Sequence, residues 1–102
     1  MSATEITKDN FESNVLNSKK TVLLDFWAGW CMPCRRLSPV IEEIAEENPE
    51  IFVGKINVDE QPELAARFSV MSIPSLFVFK NGEVTNRSVG VISKAEILGL
   101  LK

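Results

Sequence analysis

Three features of the 102-residue sequence predict an α/β domain built on a mixed central sheet. Residues 21–28 (T-V-L-L-D-F-W-A) and 51–58 (I-F-V-G-K-I-N-V) are nearly continuous apolar runs, the pattern of strands covered on both faces. A helical periodicity lies between them, and a strand–helix–strand unit closes as a right-handed crossover with its strands parallel. Asn81-Gly82 then joins two further strand-like runs, and both residues tolerate the positive φ that a tight hairpin turn requires. That last pair must be antiparallel, so the sheet is mixed.

The elements follow in order. Ile6 and its neighbours form a short first strand. Asp9 reads as a helix N-cap with Glu12, three residues on, as its capping-box partner, and a short helix is expected over about 10–17. After the first buried strand, a long helix is expected over about 32–48. Leu37, Ile41, Ile44 and Ala45 share one face of it, while Glu42, Glu43, Glu46 and Glu47 form a solvated face. Pro39 interrupts this pattern and is expected to remove a backbone bond and kink the helix. Pro49 lies beyond its end. Past the second buried strand, Pro62 suits the first position of a helix whose apolar side carries Leu64, Ala65 and Phe68. Residues 75–79 form a third buried strand and 83–89 return antiparallel. Ser93 and Glu96 make a capping box for a last helix carrying Ile97, Leu98, Leu100 and Leu101. The order is β-α-β-α-β-α-β-β-α, with helices on both faces.

Composition narrows the function. The chain is 45% hydrophobic and 25% charged, ordinary for one globular domain over residues 1–102. A net charge of −3 argues against nucleic acid and anionic membrane as partners. There is no histidine, which excludes a histidine base and any His-ligated metal. The N-terminus (M-S-A-T-E-I-T-K-D-N) has no basic segment leading into an apolar one, and the longest apolar runs, such as Leu76-Phe77-Val78-Phe79, are four residues. The expectation is a soluble cytoplasmic protein, with a monomer as the simplest state.

Cys31-Met32-Pro33-Cys34 follows directly on the first buried strand and opens the long helix. A helix start offers unpaired N–H groups and a partial positive charge, and both lower a cysteine pKa. Cys31, at the tip, gains most. Cys34 lies within disulfide reach, and Pro33 stiffens the turn. The arrangement suggests an exposed nucleophile and a protected resolving thiol. Zinc would need four ligands, which two cysteines without histidine supply only with carboxylates or a second chain. An iron–sulfur cluster would also need a dimer. No metal and no bound cofactor are expected.

Asp25 is an ionisable group inside an apolar strand, six residues before Cys31. It is either a strand-edge carboxyl bonded to nearby backbone or a buried proton acceptor and donor for the thiol pair. Lys55 on the second buried strand is its candidate charge partner; otherwise it is a solvent-exposed lysine. Trp27 is expected under the site as core, and Trp30 beside the nucleophile, partly exposed. On the residues alone, Pro74 in Ile73-Pro74 is a strand-start proline.

Taken together, D-F-W-A-G-W-C-M-P-C, a helix with Pro39, V-G-K-I-N-V-D, S-I-P-S and F-K-N-G-E-V resemble the thioredoxin family, from about residue 5 to the end. The resemblance implies the thioredoxin fold, a mixed sheet of about five strands flanked by four helices. It implies that Cys31 attacks and Cys34 resolves, that Asp25 is the buried carboxylate with Lys55 as its neighbour, and that Pro74 is cis and faces the cysteines. Trp30, Met32, Pro33, Ile73, Pro74 and Gly90 would form the substrate-binding surface, with Trp27 and Pro39 in support. The family usually has glycine where this chain has Met32, and the residues between the cysteines tune reduction potential. The function implied is a protein-disulfide reductase acting on protein disulfide substrates and recycled by thioredoxin reductase or an equivalent. The alternative is a binding module that docks partners through the same surface under redox control.

Overall fold

The computed structural model describes residues 3–102; Met1 and Ser2, at the N-terminus read above as leaderless, lie outside the described residues. Strands run over Thr4–Glu5 (β1), Val22–Trp27 (β2), Phe52–Asn57 (β3), Ser75–Lys80 (β4) and Glu83–Val89 (β5). Helices run over Met32–Glu47 (α1), Pro62–Arg67 (α2) and Lys94–Leu100 (α3), and a π-type helical segment spans Glu12–Leu16. The sheet order is β1-β3-β2-β4-β5. β3 pairs in parallel with both β1 and β2, β4 runs antiparallel to β2, and β5 antiparallel to β4. This is the mixed sheet with four helical segments that the sequence predicts.

Alternation along the central strands divides the core. Val22, Leu24 and Phe26 of β2 join Phe77 and Phe79 of β4 under the π-type segment and α2, with Ile6, Phe11, Val15 and Leu64. Leu23 of β2 and Leu76 and Val78 of β4 face the other way, against Leu37, Ile41 and Ile44 of α1 and Ile97 of α3. All six phenylalanines belong to the first side. The second side, on which Asp25 also falls, is aliphatic.

Where β1 and β2 flank β3, Gly54 permits a close approach. A Cβ built there would stand 2.7 Å from Ile6 Cγ1 and 2.9 Å from Leu24 Cδ2. Gly54→Ala is therefore expected to destabilise the fold by about 1–3 kcal/mol, read from chemical denaturation.

Most local signals hold. Asn81 and Gly82 adopt φ of 54° and 80° in the hairpin. The Ser93–Glu96 capping box is complete in both directions. Pro62 occupies the first turn of α2. Pro39 stays inside α1, which continues to Glu47, so the Arg35 carbonyl loses its helical partner.

The Asp9 cap is corrected. The first helical segment is preceded by Phe11 with no side-chain cap, and its i→i+5 bond from Asn17 N to Glu12 O measures 2.9 Å. Asn10 Oδ1 instead accepts from Thr7 N at 2.8 Å, ahead of the helical segment. That bond turns the chain before the helical segment begins, and Asp9 is left outside.

Candidate active site

β2 ends at Trp27, and the turn that follows delivers Cys31 to the N-cap of α1 in extended conformation (φ −91°, ψ 105°). Cys31 and Cys34 form a disulfide across 5.2 Å between Cα atoms. Cys31 Sγ accepts the Cys34 backbone N–H at 3.2 Å, so the sulfur performs the capping that a serine or aspartate performs elsewhere. A thiolate at this atom would receive the same donor together with the positive end of the helix.

The expected exposed nucleophile is corrected. Cys31 is only 4% exposed and Cys34 1%. Ile73 packs over the pair together with Ala28, Trp27 and Val58, and the Ile73 carbonyl oxygen lies 3.8 Å from Cys31 Sγ. A distant segment thus closes over a sulfur that local sequence would leave open. The Ile73–Pro74 bond is cis, and Gly90 N donates to the Pro74 carbonyl at 2.8 Å, which sets Gly90 beside the same rim. Trp30 and Met32 stand out from the rim at 69% and 62% exposure, and Pro33 is half-buried between the cysteines. Arg35 Nη1 approaches the Met32 sulfur at 3.9 Å.

Behind the disulfide, a groove of about 380 Å³ is lined by Trp27, Cys34, Ser38, Pro39, Glu42 and Lys55. Asp25 is fully buried on this side of the sheet, and neither carboxyl oxygen has a hydrogen-bond partner among the described residues. Burial pushes its pKa up to about 7; Lys55 pulls against that rise and Glu42 adds to it. Asp25 is thus not the strand-edge carboxyl bonded to backbone that was the other expectation.

Lys55 sits directly across from Asp25 in the β2–β3 register. It is half-buried rather than fully exposed, and its ammonium does not bond the carboxylate. It donates to Ser38 Oγ at 2.9 Å and lies 4.7 Å from the centroid of the Trp27 ring. Trp27 is half-buried, with Lys55 over its ring and the cysteines packed against it. Two groups went unassigned in the sequence. Ser38 is one helical turn beyond Cys34, a spacing that could have flagged it. Asp59 accepts the Trp30 indole Nε1–H at 2.9 Å; it closes the V-G-K-I-N-V-D run, but nothing local links it to Trp30. Among the described residues, no cluster of three or more histidine, cysteine, aspartate and glutamate side chains is placed to hold a metal ion, and no helix is long and apolar enough to cross a membrane.

A reversible thiol pair capping a helix, at the end of the central strand of a mixed sheet, defines a thiol–disulfide oxidoreductase. Comparison with known proteins makes the family explicit. The thioredoxin family model matches residues 2–102. A thioredoxin of Buchnera aphidicola (subspecies Acyrthosiphon pisum, strain APS) is 49% identical over 94 residues, covering 91% of this chain and 87% of that one. A thioredoxin of Streptomyces clavuligerus is 48% identical over 93 residues (91% and 87%), and one of Pyropia yezoensis is 44% identical over 102 residues (99% and 95%). The chain belongs to the thioredoxin family. It is an enzyme of thiol–disulfide exchange, with disulfides as substrates and a reductase as the general source of electrons. The alternative of a redox-gated binding module is not favoured by these relationships.

Proposed function

We propose that this protein, acting through one domain spanning residues 1–102, is a cytoplasmic, monomeric protein-disulfide reductase. The observation that carries the reading is the capping geometry: Cys31 Sγ at the head of α1, accepting the Cys34 N–H. The Cys31 thiolate attacks one sulfur of a substrate disulfide, and the other substrate sulfur leaves as a thiolate. The Asp25 carboxylate takes the Cys34 proton. The Cys34 thiolate then attacks Cys31 Sγ, closes the Cys31–Cys34 disulfide and expels the second substrate thiolate. Two electrons pass from the dithiol to the substrate, and the protons end on the released thiols. A separate reductase, thioredoxin reductase or an equivalent, returns two electrons. The reaction requires no bound cofactor or metal.

Substrate docks on the rim of Trp30, Met32, Pro33, Ile73, Pro74 and Gly90. Its extended backbone pairs with the segment before Pro74, and Asp59 orients the Trp30 indole. Lys55 tunes Asp25, while Trp27 and Pro39 wall the groove beneath. One chain supplies all of these groups, which supports a monomer. A single close cysteine pair at a helix head, rather than a framework of disulfides, suits a reducing compartment, which supports the cytoplasm.

The test is the reduction potential, measured by equilibrating the protein with a defined thiol buffer and alkylating free thiols. A two-electron transition at about −270 mV is expected, the range of a cytosolic reductant. A value at or above about −180 mV would mean that Met32 favours the thiolate enough for oxidation or isomerisation, and the reductase direction would fail.

A further inference from the structure

The sheet places Lys55 beside Asp25, yet the ammonium is turned to Ser38 Oγ, 2.9 Å away, and to the face of Trp27. A free lysine side chain has many rotamers to lose when it is held and a strong preference for water. A half-buried lysine at a groove wall therefore leaves for solvent unless something holds it. Ser38 sits four residues after Cys34, on the face that α1 turns to the groove, and is itself half-buried. Its hydroxyl is placed to hold the charge at the groove wall, on the side of the sheet where Asp25 is buried, rather than out in solvent. In bulk water the same charge would act on Asp25 far more weakly.

We propose that Ser38 is a positioning residue: by accepting the Lys55 hydrogen bond it keeps the ammonium inside the groove, and so sets the pH at which Asp25 releases its proton. This rests on the reading of Asp25 as the proton carrier of the thiol pair. The other charged groups on this side are Glu42 and Arg35 of α1 and, where the groove continues toward β1, Glu5, while Cys34 is held in the disulfide. β4 opposes Asp25 with Leu76, and α3 contributes Ile97, neither of which titrates. Lys55 is the cation whose attraction acts on Asp25, against the repulsion from Glu42.

The Asp25 titration midpoint is to be read on the disulfide form, from the carboxyl-carbon NMR shift of aspartate-labelled protein, with Asp25→Asn identifying the signal. Ser38→Ala is expected to raise the midpoint by about half a pH unit, because the freed ammonium moves toward solvent. Ser38→Thr should restore the original value. Lys55→Met should raise the midpoint further, and Ser38→Ala added to Lys55→Met should change nothing more, since no ammonium remains to be held.

An unmoved or lowered midpoint in Ser38→Ala would overturn the proposal, because the charge would then stay in place without its anchor. An equal rise in the Lys55→Met background would also overturn it, because Ser38 would be acting through packing rather than through Lys55. The readout involves no turnover, so it stands apart from the catalytic reading of Asp25. If the midpoint moves and the pH profile of turnover does not follow, the proton-carrier role fails while the positioning by Ser38 stands.

Discussion

Cys31→Ser is expected to lower the turnover of a disulfide-bonded protein substrate on the order of 10³-fold or more, to the rate of the thiol reductant alone. Cys34→Ser should lose turnover to the same extent but leave a different species behind. Its Cys31 still lies at the head of α1, where the Cys34 N–H and the helix end favour the thiolate, since both are backbone features that the substitution leaves in place. The first exchange therefore proceeds and the second cannot. A mixed disulfide between Cys31 and the substrate should accumulate, visible as a covalent adduct on non-reducing electrophoresis and removed by excess thiol. A Cys34→Ser protein that forms no adduct, or a Cys31→Ser protein that does, would sink the assignment of attacking and resolving roles.

The second large effect belongs to Asp25→Ala, which should make the protein a slower enzyme and, above neutral pH, a more stable fold. In the unfolded chain the carboxyl ionises near 3.8; in the folded protein burial moves this to about 7. The folded state therefore keeps a proton that the unfolded state has already released. The stability this provides is whole below about pH 4. It falls away as pH rises to about 7, above which an unpaired carboxylate is buried. The separation corresponds to about 4 kcal/mol lost between the acid and alkaline ends of that window. Alanine removes the penalty and leaves a small void, so the net gain at pH 8 should be about 2 kcal/mol, shrinking to nothing or reversing near pH 4. Urea unfolding of both proteins at the two pH values measures it. Turnover should fall on the order of 10²-fold, the usual worth of a placed proton acceptor. An Asp25→Ala protein no more stable than the parent at pH 8 would show that the carboxylate is not strained by burial.

Much of this was readable in the residues because the signals are local or periodic. The apolar runs of β2 and β3, the Asn81-Gly82 turn and the Ser93–Glu96 box act within a few residues, and each appears where the sequence places it. The motif at the head of α1 is equally local. The failures share a different origin. Asp9 caps nothing because the helical segment starts later, after Phe11, and the turn before it is held by the Thr7–Asn10 bond. Cys31 is covered because Ile73, 42 positions away, folds onto it. Trp30 meets Asp59 across 29 positions, and Lys55 finds Ser38 across 17. These contacts depend on how the ends of separate elements are brought together, and no window of neighbouring residues contains that information. Asp25 falls between the two cases. Its odd placement in an apolar strand was visible, while the lack of a hydrogen-bond partner among the described residues emerged only from the packed core.

The distribution of aromatic side chains gives the molecule a built-in optical reporter. There are two tryptophans and no tyrosine, and both indoles stand at the disulfide: Trp27 packed against the cysteines, Trp30 on the open rim with its Nε1–H on Asp59. The six phenylalanines, gathered across the sheet, absorb only at shorter wavelengths. Light at the red edge of the protein spectrum is thus absorbed by the reacting end alone. The emission of the unlabelled protein is therefore expected to respond to docking and disulfide exchange at that end, and a spectrum unchanged between the dithiol and disulfide forms would count against this.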